Sequence, residues 1–400
     1  MEACALFAGI GGLELGLRQH GVRTIATCEC DPYASRVLAR HLDKIEPQAR
    51  HSDIRQLGAL PRCDVLTAGF PCTDLSMAGP KTGITGARSG LVAQLFDLLR
   101  AAQERGDAPA WLLMENVPYM LGLRRGEAMR YLAGALEDLG WRWAYRVVDA
   151  RAFGIPQRRL RVILLASPVH DPGPALHAED EQPRVDDSPH RDLPDVGYGF
   201  YWTEGRRGLG WVVDGVPTIK AGSGWGIPSP PGVWDRPAGR IGLPHIHDLE
   251  RLQGFAAGYT EPALGGGARG RGARYRLLGN AVCVPVAAWA AERIVATPSD
   301  PVHEGRPFAT TRSWPKAAVG GPGQQPRAVP VTTWPRAEAC PGLLPFLEHS
   351  LQPLSLRATT GYLGRLERAE RIHIPPEFLA AVRVHKQRME AESPALERPR

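Results

Sequence analysis

Cysteine is scarce in this chain, lysine scarcer still, and long apolar runs are missing. The seven cysteines are Cys4, Cys28, Cys30, Cys63, Cys72, Cys283 and Cys340. An odd count in a large chain without an export signal does not describe a disulfide framework. Cys28 and Cys30 stand one residue apart and lack a second pair at zinc spacing, so no metal is expected. No uninterrupted apolar run is as long as a membrane span. The N-terminus has no basic region followed by a signal-type apolar core. A cytoplasmic protein without a membrane partner is expected. A glycine-rich turn begins within the first ten residues, so no regulatory domain is expected ahead of it. With lysine rare, arginine carries most of the positive charge. The net charge of +6 suits a polyanionic partner, although an arginine bias also follows from a GC-rich coding sequence. No internal repeat is visible. Four hundred residues allow two or three domains with a sizeable core.

The first part of the chain alternates strand-like and helix-like stretches. Strands are expected at Ala3–Phe7, Thr24–Cys28, Asp64–Ala68, Trp111–Met114, Arg142–Asp149 and Arg161–Ala166. Helices are expected at Gly12–His20, Tyr33–Leu42, Leu91–Arg105 and Ala128–Leu139. This alternation predicts an α/β fold, a doubly wound sheet with sites at the strands' carboxyl ends. After Ser167 the character changes. Residues 168–197 are rich in Pro, Asp and His, and residues 198–242 in Gly, Pro and Trp, which predicts a small irregular domain. Helical pattern returns at Leu249–Phe255 and Ala281–Val295. Residues 297–345 read as a Pro-rich linker, followed by two basic helices at Leu351–Arg371 and Pro376–Glu392.

Several motifs sit at the predicted strand ends. Phe7-Ala8-Gly9-Ile10-Gly11-Gly12 lies between a strand and a helix, where glycines relieve crowding and let backbone approach a ligand. Glu29 ends the next strand, where a carboxylate can accept both ribose hydroxyl protons of an adenosine. Asp53 could accept from an adenine amino group. A dinucleotide site or a purely structural turn would fit the glycines as well. Pro71-Cys72 follows a strand; taken alone, it reads as a buried thiol as readily as a nucleophile. Glu115-Asn116-Val117 follows another, with Asn116 and Pro118 placed to fix the strand end. In Gln157-Arg158-Arg159-Leu160-Arg161, Arg159 and Arg161 alternate with Leu160 and so share a face, although such a run by itself suits a solvated basic surface.

Their order carries more than any one of them. The Gly-rich turn, Glu29, Pro71-Cys72, Glu115-Asn116-Val117, Arg159-x-Arg161 and Leu278-Gly279-Asn280 together resemble the DNA (cytosine-5-)-methyltransferase family of the bacterial or phage restriction-modification type. The resemblance covers roughly residues 4–167 and 240–296. It implies an S-adenosylmethionine-dependent methyltransferase sheet (Rossmann-like) with a small irregular target-recognition domain. It selects S-adenosyl-L-methionine as the donor, held by Phe7, Gly9, Gly11, Gly12, Glu29, Asp53, Pro71 and Asn280. It implies Cys72 as nucleophile on cytosine C6 and Glu115 as the acid at N3. Arg161 would lie near the base carbonyl and that acid, and Arg159 would help hold the constellation and its phosphate. A reacting acid requires a raised pKa, which burial supplies.

By the same resemblance, residues 73–90 close over a flipped base, with Ser76 and Arg88 as phosphate contacts. Thr218 and Lys220 are DNA-reading candidates. Trp202, Trp211, Trp225 and Trp234 read as the small domain's own core. Three departures stand out. Cys30 occupies a position often aromatic, which predicts weaker stacking on adenine. Thr73 stands where glutamine is common. Ile246-His247-Asp248 replaces a frequent Pro-Arg-Glu.

The expected organisation is a catalytic domain at 1–167, a target-recognition region with its support at 168–262, a returning helix at 263–296, a linker at 297–345 and a basic helical extension at 346–400. A monomer is expected, acting on double-stranded DNA, with a cognate restriction endonuclease encoded nearby as a candidate partner. Three alternatives remain: an RNA (tRNA) cytosine-5 methyltransferase, a catalytically silent DNA-binding regulator, and a nicotinamide dehydrogenase. The last accounts for neither Pro71-Cys72 nor Gln157–Arg161.

Overall fold

The computed structural model describes residues 1–42, 49–70, 90–185, 193–204, 208–222, 228–266, 268–298, 305–369 and 374–392. The apolar runs form the strands β1 (Glu2–Leu6), β2 (Arg23–Cys28), β4 (Val65–Ala68), β5 (Trp111–Asn116), β6 (Arg142–Asp149) and β8 (Leu160–Ser167), joined by two short polar strands, β3 (Arg50–His51) and β7 (Gln157–Arg158). In the main sheet β3, β2, β1, β4 and β5 lie side by side and parallel. β8 then lies antiparallel between β5 and β6.

Successive residues of these strands serve opposite faces. Ala3, Val65, Trp111, Leu113 and Ile163 join one core with Leu13, Leu17, Val286 and Trp289. Cys4, Leu66, Leu112, Met114 and Leu164 join the other with Leu95, Leu99, Met129 and Leu132. Helices Gly12–Gln19 and Val284–Ala296 thus cover one face, and Gly90–Glu104 and Glu127–Asp138 the other. Burial on both faces explains why the strands read as continuous apolar runs rather than alternating ones. The doubly wound α/β expectation is met. Chain order reverses between β1 and β4, so a crevice opens there at the carboxyl ends.

The small domain is a separate antiparallel sheet built from β9 (Gly197–Phe200), β10 (Val212–Val213), β12 (Gly232–Asp235) and β13 (Arg240–Leu243). The short β11 (Val216–Pro217) pairs in parallel with β7, the strand just before β8, in a two-stranded sheet of their own. Trp211 and Trp234 cluster with Tyr198 and Phe378, and Trp202 packs at the edge. They are core, as the sequence suggests; Trp225 lies outside the described residues.

The C-terminal third departs from expectation. The supposed linker contributes β14 (Arg306–Pro307), β15 (Ala317–Gly320) and β16 (Arg327–Ala328), and β15 pairs antiparallel with β6. Farther on, β17 (Gln352–Pro353) adds to β13. Helices Leu356–Leu366 and Pro376–Glu392 then cover the small sheet. Tyr362 stacks on Phe200 at 5.3 Å, and Phe378 lies 4.9 Å from both Phe200 and Trp211. The basic residues there are internally engaged: Arg365 donates to the carbonyls of Trp202 and Glu204, Arg383 pairs with Glu367, and Lys386 with Glu390. Phe378 is fully buried, so Phe378→Ala is expected to cost about 3–5 kcal/mol, read as a lower urea midpoint. An unchanged midpoint would mean that these helices are appended rather than part of the core.

The returning segment is two helices, Ala268–Asn280 and Val284–Ala296, broken at Ala281–Cys283. Gly272–Ala296 is long and apolar enough for a bilayer, yet 72% of its most apolar window is buried inside the protein. Its apolarity is therefore that of a core element.

Candidate active site

A cavity of about 390 Å³ opens at the carboxyl ends of β1, β2, β4 and β5, within the range of small-molecule sites. Its wall includes Phe7, Gly9, Gly12, Glu29, Asp53, Glu115, Arg161 and Asn280. The residues expected from opposite halves of the reaction thus share one space. Gly11 is not on the wall: it packs behind, against Leu38 and Tyr259. Pro71, Cys72, Thr73, Ser76 and Arg88 lie outside the described residues.

On one side, β1 ends in a turn whose shape the sequence dictates. Phe7 has φ 56°, a left-handed value costly for a bulky residue. At Gly12 a Cβ would come within 2.5 Å of the Val282 carbonyl oxygen, so only glycine lets the returning segment close the wall. Glu29 receives the N–H groups of Gly9 and Asp31, each at 2.7 Å. Burial pushes its carboxyl up, and those two donors oppose the shift. Asp53 is forked by the Arg55 guanidinium, 2.6 Å from Nη2 to Oδ2, which holds its carboxyl below the usual range. An adenine amino group would therefore share this carboxylate with Arg55. Cys30 is exposed and lines the wall. Arg276, which the sequence did not single out, also lines it, ion-paired to Asp31 at the start of helix Pro32–His41. The volume, the two-acceptor carboxylate and the close-packed glycine turn fit an adenosyl group.

On the other side, Glu115 ends β5 almost fully buried. Arg161 Nε lies 2.8 Å from Glu115 Oε1. Burial lifts the Glu115 carboxyl above the ordinary glutamate value; the charges of Arg161 and Arg159 act against this without reversing it. The Asn116 side chain donates to the Phe70 carbonyl at 3.1 Å and accepts from the Val117 N–H at 2.8 Å. The end of β5 is thereby tied to the residue just before Pro71-Cys72.

Residues 1–188 match the family model described as C-5 cytosine-specific DNA methylase. The type II methyltransferase M2.BsuMI of Bacillus subtilis (strain 168) is 45% identical over 390 residues, 97% of this chain and 99% of that protein. M.NlaX of Neisseria lactamica, also a type II methyltransferase, is 30% identical over 73% of this chain and 95% of its own length. The chain belongs to the C-5 cytosine-specific DNA methylases. It is a DNA (cytosine-5-)-methyltransferase. Among solved structures it is similar to the Entamoeba histolytica methyltransferase EhMeth, at 17% identity and a TM-score of 0.49, over 74% of this chain and 98% of that one.

In this methyltransferase Arg159 does not face the cavity. It is 1% exposed and donates to the carbonyls of Ile219 at 3.2 Å, Gly279 at 3.2 Å and Ala281 at 2.5 Å. It holds the constellation from behind, and all three of these partners are main chain. Gln157 works alongside: it accepts from the Ile219 N–H and donates to the Leu252 carbonyl and the Gln253 side chain. Gln253 in turn donates to the Leu278 carbonyl. At Gly279 a Cβ would sit 2.1 Å from the Ala221 nitrogen, so the Leu278-Gly279-Asn280 turn lies directly on the Thr218–Ala221 segment. Thr218 donates its hydroxyl to the Arg158 carbonyl at 2.8 Å. Lys220 is ion-paired to Glu204 and lies 3.6 Å from the Tyr201 ring centroid. Both DNA-reading candidates are thus engaged within the protein.

Glu14 in helix Gly12–Gln19 belongs to none of the sequence motifs. It is 1% exposed, accepts from the Thr67 hydroxyl at 2.8 Å, and its Oε2 has no partner among the described residues. Burial pushes its carboxyl up to about 7, with hydrogen bonds opposing. Between the ordinary glutamate range and about 7, the folded enzyme therefore holds a proton that the unfolded chain has lost. This contribution to stability is complete below the unfolded value and disappears as pH rises through about 7. Glu14→Gln is expected to leave the urea midpoint near wild type at pH 5 and to raise it above wild type at pH 8. Parallel wild-type and variant pH curves would refute the assignment.

Proposed function

We propose that this enzyme methylates C5 of cytosine in double-stranded DNA at a short specific sequence, through a covalent adduct between Cys72 and C6 of a flipped-out base. The observation that carries the reading is the single cavity that joins Gly9, Gly12 and Glu29 to Glu115 and Arg161. S-adenosylmethionine, when bound, supplies the methyl group. Gly9, Gly12, Glu29 and Asn280 would line its site and Asp53 would approach the adenine edge.

Cytosine C5 is too weak a nucleophile to take a methyl group unaided. Addition of the Cys72 thiolate to C6 forms the S–C6 bond and moves electron density to C5 and N3. Glu115, whose carboxyl is raised by burial, donates its proton to N3 and so absorbs the developing charge. Arg161 fixes the orientation of that carboxyl. After methylation C5 gives its proton to solvent, that electron pair forms the C5–C6 double bond as the S–C6 pair returns to the Cys72 thiolate, and N3 returns its proton to Glu115. We assign the ten-stranded sheet to catalysis and the small antiparallel sheet to DNA reading, with a cognate nuclease as the expected companion in a cytoplasmic restriction-modification pair.

The deciding assay offers labelled donor to a sequence-diverse duplex DNA pool and to tRNA in parallel. Methyl groups at one short motif in DNA, with none in tRNA, are expected. Transfer to tRNA alone would overturn the DNA reading, and binding of duplex without transfer to either would favour a silent regulator.

A further inference from the structure

Three histidines meet outside the wall of the cavity. His245 and His247 open helix Ile246–Arg251, where Ile246-His247-Asp248 departs from the family's common pattern. His349 comes from the C-terminal third, about a hundred residues later. The His245 and His349 rings stack at 4.4 Å, and His247 stands edge-on to both, at 4.6 and 5.4 Å. Their ligand-capable atoms all lie within 4.8 Å of one another, and all three residues are half-buried.

Each ring has one nitrogen near a fixed neighbour or a second potential ligand. His245 Nδ1 caps its helix by accepting the His247 N–H at 3.3 Å; to take an ion, the ring must either turn Nδ1 away from this long cap or move its proton from Nε2 to Nδ1. His349 Nδ1 lies 3.3 Å from Oδ2 of the fully buried Asp248, which also receives the backbone N–H groups of Glu348 and His349. A carboxylate behind one imidazole nitrogen, leaving the other outward, is the usual outer arrangement of a histidine metal ligand. His247 Nε2 lies 3.5 Å from Glu261 Oε1, which offers a further oxygen.

We propose that His245, His247 and His349 form a binding site for a divalent transition ion, zinc being the test metal, that clasps the C-terminal segment to the helix Ile246–Arg251. Three imidazoles with one carboxylate nearby and no thiolate match the ligand preferences of Zn²⁺ and its neighbours rather than those of Mg²⁺ or Ca²⁺. Zn–N distances of about 2.0–2.1 Å require the nitrogens to close to roughly 3.4 Å, a movement that half-exposed rings can make about their side-chain torsions. The expectation that no metal binds came from cysteine spacing, and this cluster is invisible to that criterion because its third member is remote in sequence. The clasp has a mechanical effect. The same stretch ends in Gln253, which supports Gln157 and the Leu278 carbonyl behind the active cavity, so an ion here would stiffen that support.

Full-length protein stripped with a chelator would be titrated with ZnCl₂ by calorimetry, with Tm measured at each point. Wild type is expected to bind one equivalent and to gain Tm. His349→Gln and His245→Asn are each expected to weaken binding by about 10-fold or more, the order lost even when an outer partner of a ligand is removed, and to lose the Tm gain. His245→Asn keeps a good helix cap, and methyl transfer by both metal-free variants would verify that they are folded. No saturable binding by wild type, or binding that survives both substitutions, would overturn the proposal and leave the methyl-transfer reading untouched.

Discussion

Duplex DNA carrying 5-fluorocytosine at the recognised site is expected to trap the wild-type enzyme covalently in the presence of S-adenosylmethionine, and Cys72→Ser is expected to give no adduct and no detectable methylation. Fluorine cannot leave C5 as the proton does, so the reaction halts after methyl transfer with the S–C6 bond intact. A serine hydroxyl is a far weaker nucleophile at neutral pH than a cysteine with even a small thiolate fraction. The variant should retain DNA and donor binding, which a filter-binding measurement would verify. The assignment of Cys72 rests on its order among the motifs and on the Asn116 tie to the Phe70 carbonyl, which anchors the chain immediately before Pro71-Cys72. A Cys72→Ser protein that still formed adduct would move the nucleophile elsewhere.

The second large effect concerns the acid. Glu115→Gln is expected to lower kcat by about 10²–10⁴-fold, the span typical of a removed general acid, with donor affinity near wild type. An amide can occupy the place of the carboxyl but cannot give up a proton as nitrogen N3 gains charge. The pH profile separates this role from a structural one. Burial raises the Glu115 carboxyl above the ordinary glutamate value, and the protonated form is the active one. Wild-type single-turnover rates should therefore fall as pH rises through that raised value, and the residual rate of the glutamine variant should lack this step. An equal fall in both proteins would assign the pH dependence to another group. The Arg161 charge 2.8 Å away, with that of Arg159, acts against this rise in Glu115.

The parts of this molecule that were legible in its sequence share one property: they are buried on both faces. Strands β1, β4, β5 and β8 announce themselves as apolar runs because both sides of the sheet are covered. The strand-end motifs could then be placed by counting. Arg159 and Arg161 mark the limit of that method. Local alternation put them on one face, but tertiary structure sends Arg161 to Glu115 and Arg159 to three carbonyls as far off as Ala281. The C-terminal third was misread for a different reason. Its strands are two to four residues long, carry prolines at Pro307 and Pro353, and pair with partners as remote as Arg146. Such segments have no periodicity of their own and are ordered by the edges they join.

The returning segment has a consequence for how the enzyme comes into being. Gly12 leaves the ribosome long before Val282, the wall that closes over it, and Arg159 long before Ala281, the hook it catches. At roughly 5–20 residues per second, the roughly 270 residues between Gly12 and Val282 take on the order of 15–50 s to synthesise. Once Glu115 has been made, the nascent chain carries Cys72 and Glu115, the proposed nucleophile and acid, for the rest of that interval without a finished chamber to use them in. A chain cut short before Val282 is therefore expected to transfer no methyl group, so marking of DNA would begin only after most of translation is over.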